Sequence, residues 1–228
     1  MEKFQALMMR YFVPLATKLN AQRHVSAVRD AFTLAFPLTM AGSLVVLINN
    51  VFLSPDGFVA GLLHLDKLIP NLAEYQEIFN PIVNGTTNIM AIIIAFLTAY
   101  EMARIMGGDE VLSGITSLAV FFILYPAAQE FKDGGTGLTN SYFGAQGLFV
   151  ALFVGLIVAE LLSKMGKNEK LRIKMPDTVP PAVAKSFDIL FPIMIVLGLS
   201  GLLNFLMLKF SPEGIQAVSY THLRAHET

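Results

Sequence analysis

The sequence predicts an all-α polytopic membrane protein with about five transmembrane helices. Only 14% of its 228 residues are charged, whereas soluble domains carry about 25%. Five windows of 19 to 26 residues contain no Asp, Glu, Lys or Arg, and about 20 mostly apolar residues in a helix cross the ~30 Å hydrocarbon layer. Too little polar sequence remains to coat five buried helices in a soluble core.

The charge-free windows set the approximate bounds of the five predicted spans. These bounds are 31–53, 80–103, 111–129, 142–162 and 188–209.

Ahead of the spans, residues 1–28 are predicted to form an amphipathic helix, because one apolar stripe recurs there at helical spacing with basic residues beside it. Such a helix can lie on the membrane surface or pack on the bundle, and the pattern fits both arrangements. The stripe consists of Phe4, Leu7, Met8, Tyr11, Phe12, Leu15 and Leu19.

The distribution of Lys and Arg predicts the orientation. Twelve of these residues fall in 1–30, 101–110 and 160–188, whereas three fall in 54–77, in 130–141 and at Lys209. Cytoplasmic segments of membrane proteins carry the excess of basic residues. The N-terminus is therefore predicted to be cytoplasmic.

Two stripes of small residues predict close helix packing, because small side chains at every fourth position let helix backbones approach each other in a membrane. The spacing leaves open whether each stripe meets a helix of the same chain or of a second chain. The stripes are Ala91, Ala95, Ala99 and Ala103 in the second span, and Gly147, Ala151, Gly155 and Ala159 in the fourth.

Polar residues within the spans are few, and they predict structural roles. Asn49 and the cluster over 84–88 are expected to form interhelical hydrogen bonds rather than line a solute path, because no ionisable residue accompanies them. Residues 101–110 are predicted to form a short turn. Glu160 and Lys164 are predicted to form a surface ion pair, and His24 to be solvated.

No catalytic, substrate-binding or metal-ligating residue is predicted, and no cofactor. The chain has no Cys, which excludes a disulfide framework, a Cys-based metal site and a thiolate nucleophile. No P-loop, zinc motif or Ser/His/Asp set is present in the sequence. His222 and His226 have a metal-like spacing, but they lie in a segment, 217–228, that resembles a translated sequencing-adapter scar and is expected to be artefactual.

Four stretches together resemble the lactose/cellobiose (diacetylchitobiose) class of phosphotransferase-system (PTS) enzyme IIC. They are 29–50, 85–103, 143–161 and 173–187, and the last two contain the specific strings GAQGLFVA and IKMPDTVPPAV. The resemblance covers about residues 1–212. Its loop motif comprises Lys174, Pro176, Asp177, Pro180 and Pro181.

The resemblance implies a multi-pass permease of the bacterial inner membrane, with ten spans in two halves. Such a permease imports an oligosaccharide of the cellobiose, lactose or chitobiose type and is coupled to its phosphorylation. The matched half is the interface domain of a homodimer, and the sugar site lies in the other half. The implied partners are the enzyme IIB and IIA components, a second copy, the disaccharide and membrane lipid.

The 228 residues are accordingly expected to be a truncated half that lacks the sugar site. The resemblance implies that this half is part of a phosphohistidine–sugar phosphotransferase system, but no phosphorylated or catalytic residue is expected in it. Whether it counts as an enzyme therefore stays open. Two alternatives also stay open: a fragment of an ion-coupled secondary transporter and a dimerisation bundle that transports nothing.

Overall fold

A computed structural model of the protein shows a bundle of helices. The residues that it describes are 9, 12–13, 21–54, 56–64, 67, 69, 71–130, 134–173, 176, 178–210, 214–216 and 219. The predicted N-terminal stripe lies outside this set, apart from Phe12, whose side chain is exposed.

The described residues form eight α-helices, named here α1 to α8 in chain order. They are Arg23–Leu47, Phe58–Leu63, Gln76–Asn84, Met90–Met106, Glu110–Ile123, Leu148–Gly166, Pro181–Asp188 and Leu190–Phe210. One π-helical segment continues α1, and four short 3-10 turns flank other helices: Ile48–Leu53, then Leu72–Tyr75, Thr87–Ile89, Ala145–Gly147 and Glu169–Leu171. Two strands, β1 (Gln129–Glu130) and β2 (Thr136–Gly137), pair antiparallel in the loop after α5.

Four helical stretches of the described chain are long and apolar enough to cross a membrane. They are Arg23–Leu63, Gln76–Met106, Ala145–Gly166 and Leu190–Phe210. These stretches, with no sheet core among the described residues, confirm the all-α polytopic class. The first one begins at Arg23, so residues 23–28 belong to α1.

The third predicted span, 111–129, is shorter in the structure. Its helix α5 has 14 residues, which rise about 21 Å and fall short of the ~30 Å hydrocarbon layer. The helix ends at Ile123, three residues before Pro126. Proline lacks a backbone N–H and disfavours helical geometry in the residue before it, which accounts for this early end.

Helix α4 is the central element, since α1, α5 and α6 all pack against it. Ala27 of α1 lies in one buried cluster with Ala99 and Ala103 near the end of α4. Gly42, farther along α1, lies beside Thr86, ahead of α4. Helices α1 and α4 are therefore antiparallel.

A tight turn connects α4 to its antiparallel neighbour α5. Gly107 ends α4 with φ +68°, and its N–H donates to the carbonyl oxygens of Ala103 and Arg104. This left-handed conformation favours glycine. Asp109 then caps α5, because its Oδ1 accepts the Leu112 N–H at 2.8 Å. The turn is thus shorter than the predicted 101–110, and α4 continues to Met106.

At the opposite end of the bundle, Tyr125 ties the end of α5 to the loop before α6. The ring is buried, and its centroid lies 4.8 Å from that of Phe143. The hydroxyl donates to the Thr139 carbonyl at 2.6 Å and accepts the Tyr142 N–H at 3.1 Å. One side chain therefore satisfies two backbone groups of this loop.

Replacing Tyr125 with Phe should lower the free energy of unfolding by about 1–3 kcal/mol, because two backbone groups lose their partner. Thermal unfolding in detergent, followed by far-UV circular dichroism, measures the effect. Y75F is the control, since Tyr75 is 46% exposed and its change should stay within about 0.5 kcal/mol. Equal melting temperatures for Y125F and the unsubstituted chain would contradict this account.

Candidate functional site

The most extensive helix contact in the described chain is that between α4 and α6, the helices that carry the two small-residue stripes. The four alanines of the α4 stripe are all 0% exposed, as are two members of the α6 stripe, Ala151 and Ala159. The other two members, Gly147 and Gly155, lie against Ala91 and Thr98 of α4. The structure therefore brings all eight predicted packing residues into the interior.

The backbones of α4 and α6 approach most closely at Gly155. A Cβ atom on this residue would lie 2.8 Å from the Thr98 Cβ, 3.0 Å from the Ala95 carbonyl oxygen and 3.1 Å from the Ala99 nitrogen. A Cβ atom at these distances would force α6 and α4 to shift apart. Gly155 therefore permits this contact because it lacks a Cβ atom.

The two helices run parallel, because their stripes match in order along the contact. Gly147 lies beside Ala91 at one end. At the other end, the Lys167 ammonium donates to the Met106 carbonyl at 2.9 Å. The two stripes therefore pack against each other within one chain. The spacing alone does not decide between this arrangement and contact with a second chain. Ala27 of α1 also packs beside Ala159.

Charged side chains connect the ends of α1 and α6 near Lys167. Glu160 bonds to the His24 Nε2 at 3.0 Å and to the Lys164 ammonium at 2.6 Å. The expectation that His24 is simply solvated is therefore wrong. The packing of α1 places its ring against the carboxylate of Glu160, which lies 136 residues later in the sequence. The predicted Glu160–Lys164 pair is present, as part of this larger cluster.

Glu101 is the charged residue whose surroundings the sequence analysis missed. Its carboxylate is 1% exposed and lies 2.5 Å from the Arg104 Nη2. The residue lies inside α4, at a position where the predicted second span (80–103) and the predicted turn (101–110) overlap. Glu and Arg three residues apart share one side of a helix, and this spacing is the signal that could have placed both in α4.

The loop motif of the resemblance is described in part. Lys174 and Asp177 lie outside the described residues. The Pro176 carbonyl accepts the Val179 N–H at 3.0 Å, and Pro180 precedes α7, in which Pro181 is the first residue. Proline suits this position because its missing N–H has no partner in a first helical turn.

Arg172, ahead of the motif, forms an ion pair with Asp188, which follows the motif at the end of α7. The Asp188 carboxylate raises the pKa of the Arg172 guanidinium above its usual value. The pair joins the beginning and end of the connector that holds the loop motif.

Amide side chains meet at the other end of the bundle. The Asn49 Nδ2 donates to the Asn80 Oδ1 at 2.9 Å, and the Gln76 Nε2 donates to the Asn49 carbonyl at 3.1 Å. Asn88 donates to Asn84 at 2.6 Å. Asn49 thus connects the π-helical segment after α1 to α3.

No group of three His, Asp or Glu residues suited to a metal ion occurs within the described residues. Grooves along the helices include two that differ in their lining. One, between α5, α6 and α8, is lined almost entirely by aliphatic side chains. The other lies between α1 and α6 near His24. The arrangement is that of a packed scaffold with charged side chains at one end.

Comparison with known proteins identifies the family of this scaffold. The family model "Phosphotransferase system, EIIC" matches residues 29–227. The chain belongs to the PTS EIIC family. The matched range extends beyond residue 212, where the resemblance was expected to end, and it includes most of the segment expected to be artefactual.

Three relatives of this EIIC chain support the assignment. The "PTS system oligo-beta-mannoside-specific EIIC component" of Bacillus subtilis (strain 168) is 32% identical over 95% of the chain and 47% of its own length. The "PTS system cellobiose-specific EIIC component" of Geobacillus stearothermophilus is 32% identical over 84% of the chain and 43% of its own length.

The third relative is a solved structure. The transporter ChbC, described as the IIC component of the N,N'-diacetylchitobiose-specific phosphotransferase system, matches with a TM-score of 0.79 and 28% identity. The match covers 96% of the chain and 51% of ChbC. The EIIC chain therefore spans about half the length of the relatives that it matches.

Replacing Gly155 with Ala in this EIIC chain should lower the free energy of unfolding by about 1–3 kcal/mol, because the new methyl group overpacks the α4–α6 contact. Thermal unfolding in detergent measures the change.

G201A is the matched control, since Gly201 also lies within a helix but a Cβ there meets nothing within 4 Å. It should stabilise the chain by about 0.5–1 kcal/mol, as Ala favours helix over Gly. A neutral G155A would refute close α4–α6 packing.

Proposed function

We propose that this chain is the interface half of an EIIC permease that imports an oligosaccharide of the cellobiose/chitobiose type while the PTS phosphorylates it. The observation that carries the proposal is the match to ChbC over 96% of the chain, together with the family match. The two relatives that are 32% identical are named for cellobiose and for an oligo-β-mannoside, which favours this sugar class.

The packing of α1, α4 and α6 suits a rigid half against which a transport half moves. Among the described residues, the small-residue contact leaves no space for a sugar between α4 and α6, and the residues facing each other across it are mostly aliphatic. Sugar hydroxyls need polar partners in a concave site. In this proposal the sugar site therefore belongs to the half of an EIIC protein that the 228 residues do not match.

The partners in this proposal are the EIIB and EIIA components, a second copy of the chain and membrane lipid. The basic end of the described bundle, which includes Arg104, Lys164, Lys167 and Arg172, faces the cytoplasm. Phosphorylated EIIB would reach the imported sugar from this side. The loop motif around Pro180 lies at this end as well.

An ion-coupled transporter is the runner-up, because Glu101 is a buried carboxylate within a membrane helix. Buried carboxylates in membrane proteins often mark proton or cation pathways. Arg104, however, lies 2.5 Å from this carboxylate and neutralises the charge that a cation would need. A structural ion pair is therefore the better account of Glu101.

Uptake by bacterial cells that express the complete gene for this sequence distinguishes the two functions. We expect labelled cellobiose or diacetylchitobiose to accumulate as sugar phosphate, to require EIIB, and to withstand brief protonophore treatment. Cells that lack only EIIB provide the control. Uptake that a protonophore abolishes and that is indifferent to EIIB would establish ion coupling, and no uptake with stable dimers would indicate a dimerisation bundle.

The proposed orientation can be tested with single cysteines, because the chain has none of its own. Gly135 is exposed directly before β2, and Lys170 is exposed in the connector after α6. We expect a membrane-impermeant maleimide to label G135C in intact cells and K170C only after permeabilisation. Labelling of K170C in intact cells, with G135C protected, would reverse the orientation.

A further inference from the structure

We propose that the groove between α1 and α6 binds an anionic phospholipid of the cytoplasmic leaflet. The groove has a volume of about 340 Å³. Its surface is almost wholly apolar, because the side chains that line it contribute mainly carbon atoms. They are Val25, Val28 and Leu156, and the carbon atoms of His24 and Arg29. This surface suits an acyl chain, and the Arg29 guanidinium beside it supplies the donors that a phosphate needs.

The groove lies at the level of the headgroups. His24 through Arg29 form the first two turns of α1, which begins at Arg23. Glu160, which bonds to His24, lies less than two turns from the end of α6 at Gly166. In the orientation proposed above, this end faces the cytoplasm. Basic pockets between membrane helices on that side are where anionic headgroups bind.

The acidic side chains near the groove are already engaged by cations. Glu160 accepts hydrogen bonds from His24 and Lys164, and Asp30 accepts from Arg29. Cations also outnumber acids at this end of the two helices. The cations are Arg23, Arg29, Lys164 and Lys167, against Asp30 and Glu160. The same end of α4 and α5 adds Arg104 and the acids Glu101, Asp109 and Glu110. The attraction for an anion therefore comes from the arginines of α1 and not from the net charge of this end.

Arg29 retains donors for a phosphate. A guanidinium has five N–H donors, of which Asp30 Oδ1 takes one from Nε and one from Nη2, each at 2.9 Å. The side chain is 53% exposed, so its remaining N–H groups are accessible from the membrane surface. Arg binds phosphate well because its N–H groups form a planar fork.

The beginning of α1 adds a second attraction. Gln22, the residue before the helix, makes no side-chain capping hydrogen bond. The first N–H groups of a helix carry a partial positive charge that favours anions. In this chain the groove begins at His24, one residue after the start of α1, so this attraction adds to that of Arg29.

The test measures thermal unfolding of the purified chain in neutral detergent containing dioleoyl phosphatidylglycerol or, for comparison, dioleoyl phosphatidylcholine. A lipid that binds the native state raises the melting temperature. We expect a rise of several degrees with phosphatidylglycerol alone. R29Q and V25W should each lose more than half of this rise, the first by removing donors and the second by filling the groove.

The control K170Q removes a charge at the same end of the bundle but outside the groove, and it should retain the full rise. V25W keeps every charge, so it tests the groove even if R29Q fails to fold. An unchanged rise in V25W, or an equal loss in K170Q, would overturn the proposal in favour of diffuse attraction. A full rise with glycerol 3-phosphate would also overturn it, since no acyl chain would be needed. The assay involves no sugar and is independent of uptake.

Discussion

The approach of α6 to α4 at Gly155 is the contact on which the rest of the bundle depends. In lipid, apolar side chains gain nothing by leaving the solvent, so helices associate through close packing and polar contacts. Dispersion falls steeply with distance, and only small residues allow the backbones to meet. The alanines of α4 are completely buried, and α1 and α5 pack around the same helix. A wider α4–α6 distance would therefore loosen three interfaces at once.

Polar interactions fix the ends of this contact. At one end the Lys167 ammonium closes the last turn of α4, where a helix leaves carbonyl groups without partners. At the other end, Tyr125 satisfies two backbone groups of the loop before α6 that would be costly to leave unsatisfied near lipid. Tight packing in the middle sets how close the helices are, and the polar ends set their register.

The sequence predicted the features that depend on local pattern. Charge-free windows predicted the membrane class, and period-four spacing singled out the residues that now line the α4–α6 contact. Prediction from the sequence was wrong where a residue's surroundings depend on a partner far away in the chain. His24 looks solvated in the sequence because its partner, Glu160, comes 136 residues later. Glu101 falls where the predicted span and the predicted turn overlap, and its pairing with Arg104, one turn later, accompanies the continuation of α4 to Met106. The predicted third span, 111–129, includes Pro126, because a count of charged residues does not register that proline lacks the N–H that a helix needs.

The ion pair between the buried Glu101 and the half-exposed Arg104 bears on how a transporter of this family would be powered. A carboxylate that couples transport to an ion must be able to lose its counter-charge during the cycle, and burial makes an unpaired carboxylate expensive. Here the partner comes from the same helix, three residues away, so no movement between helices separates the two. A phosphotransferase permease needs no such separation, because phosphoryl transfer to the sugar supplies the free energy. The pair is thus fixed within a scaffold, as the proposed function requires.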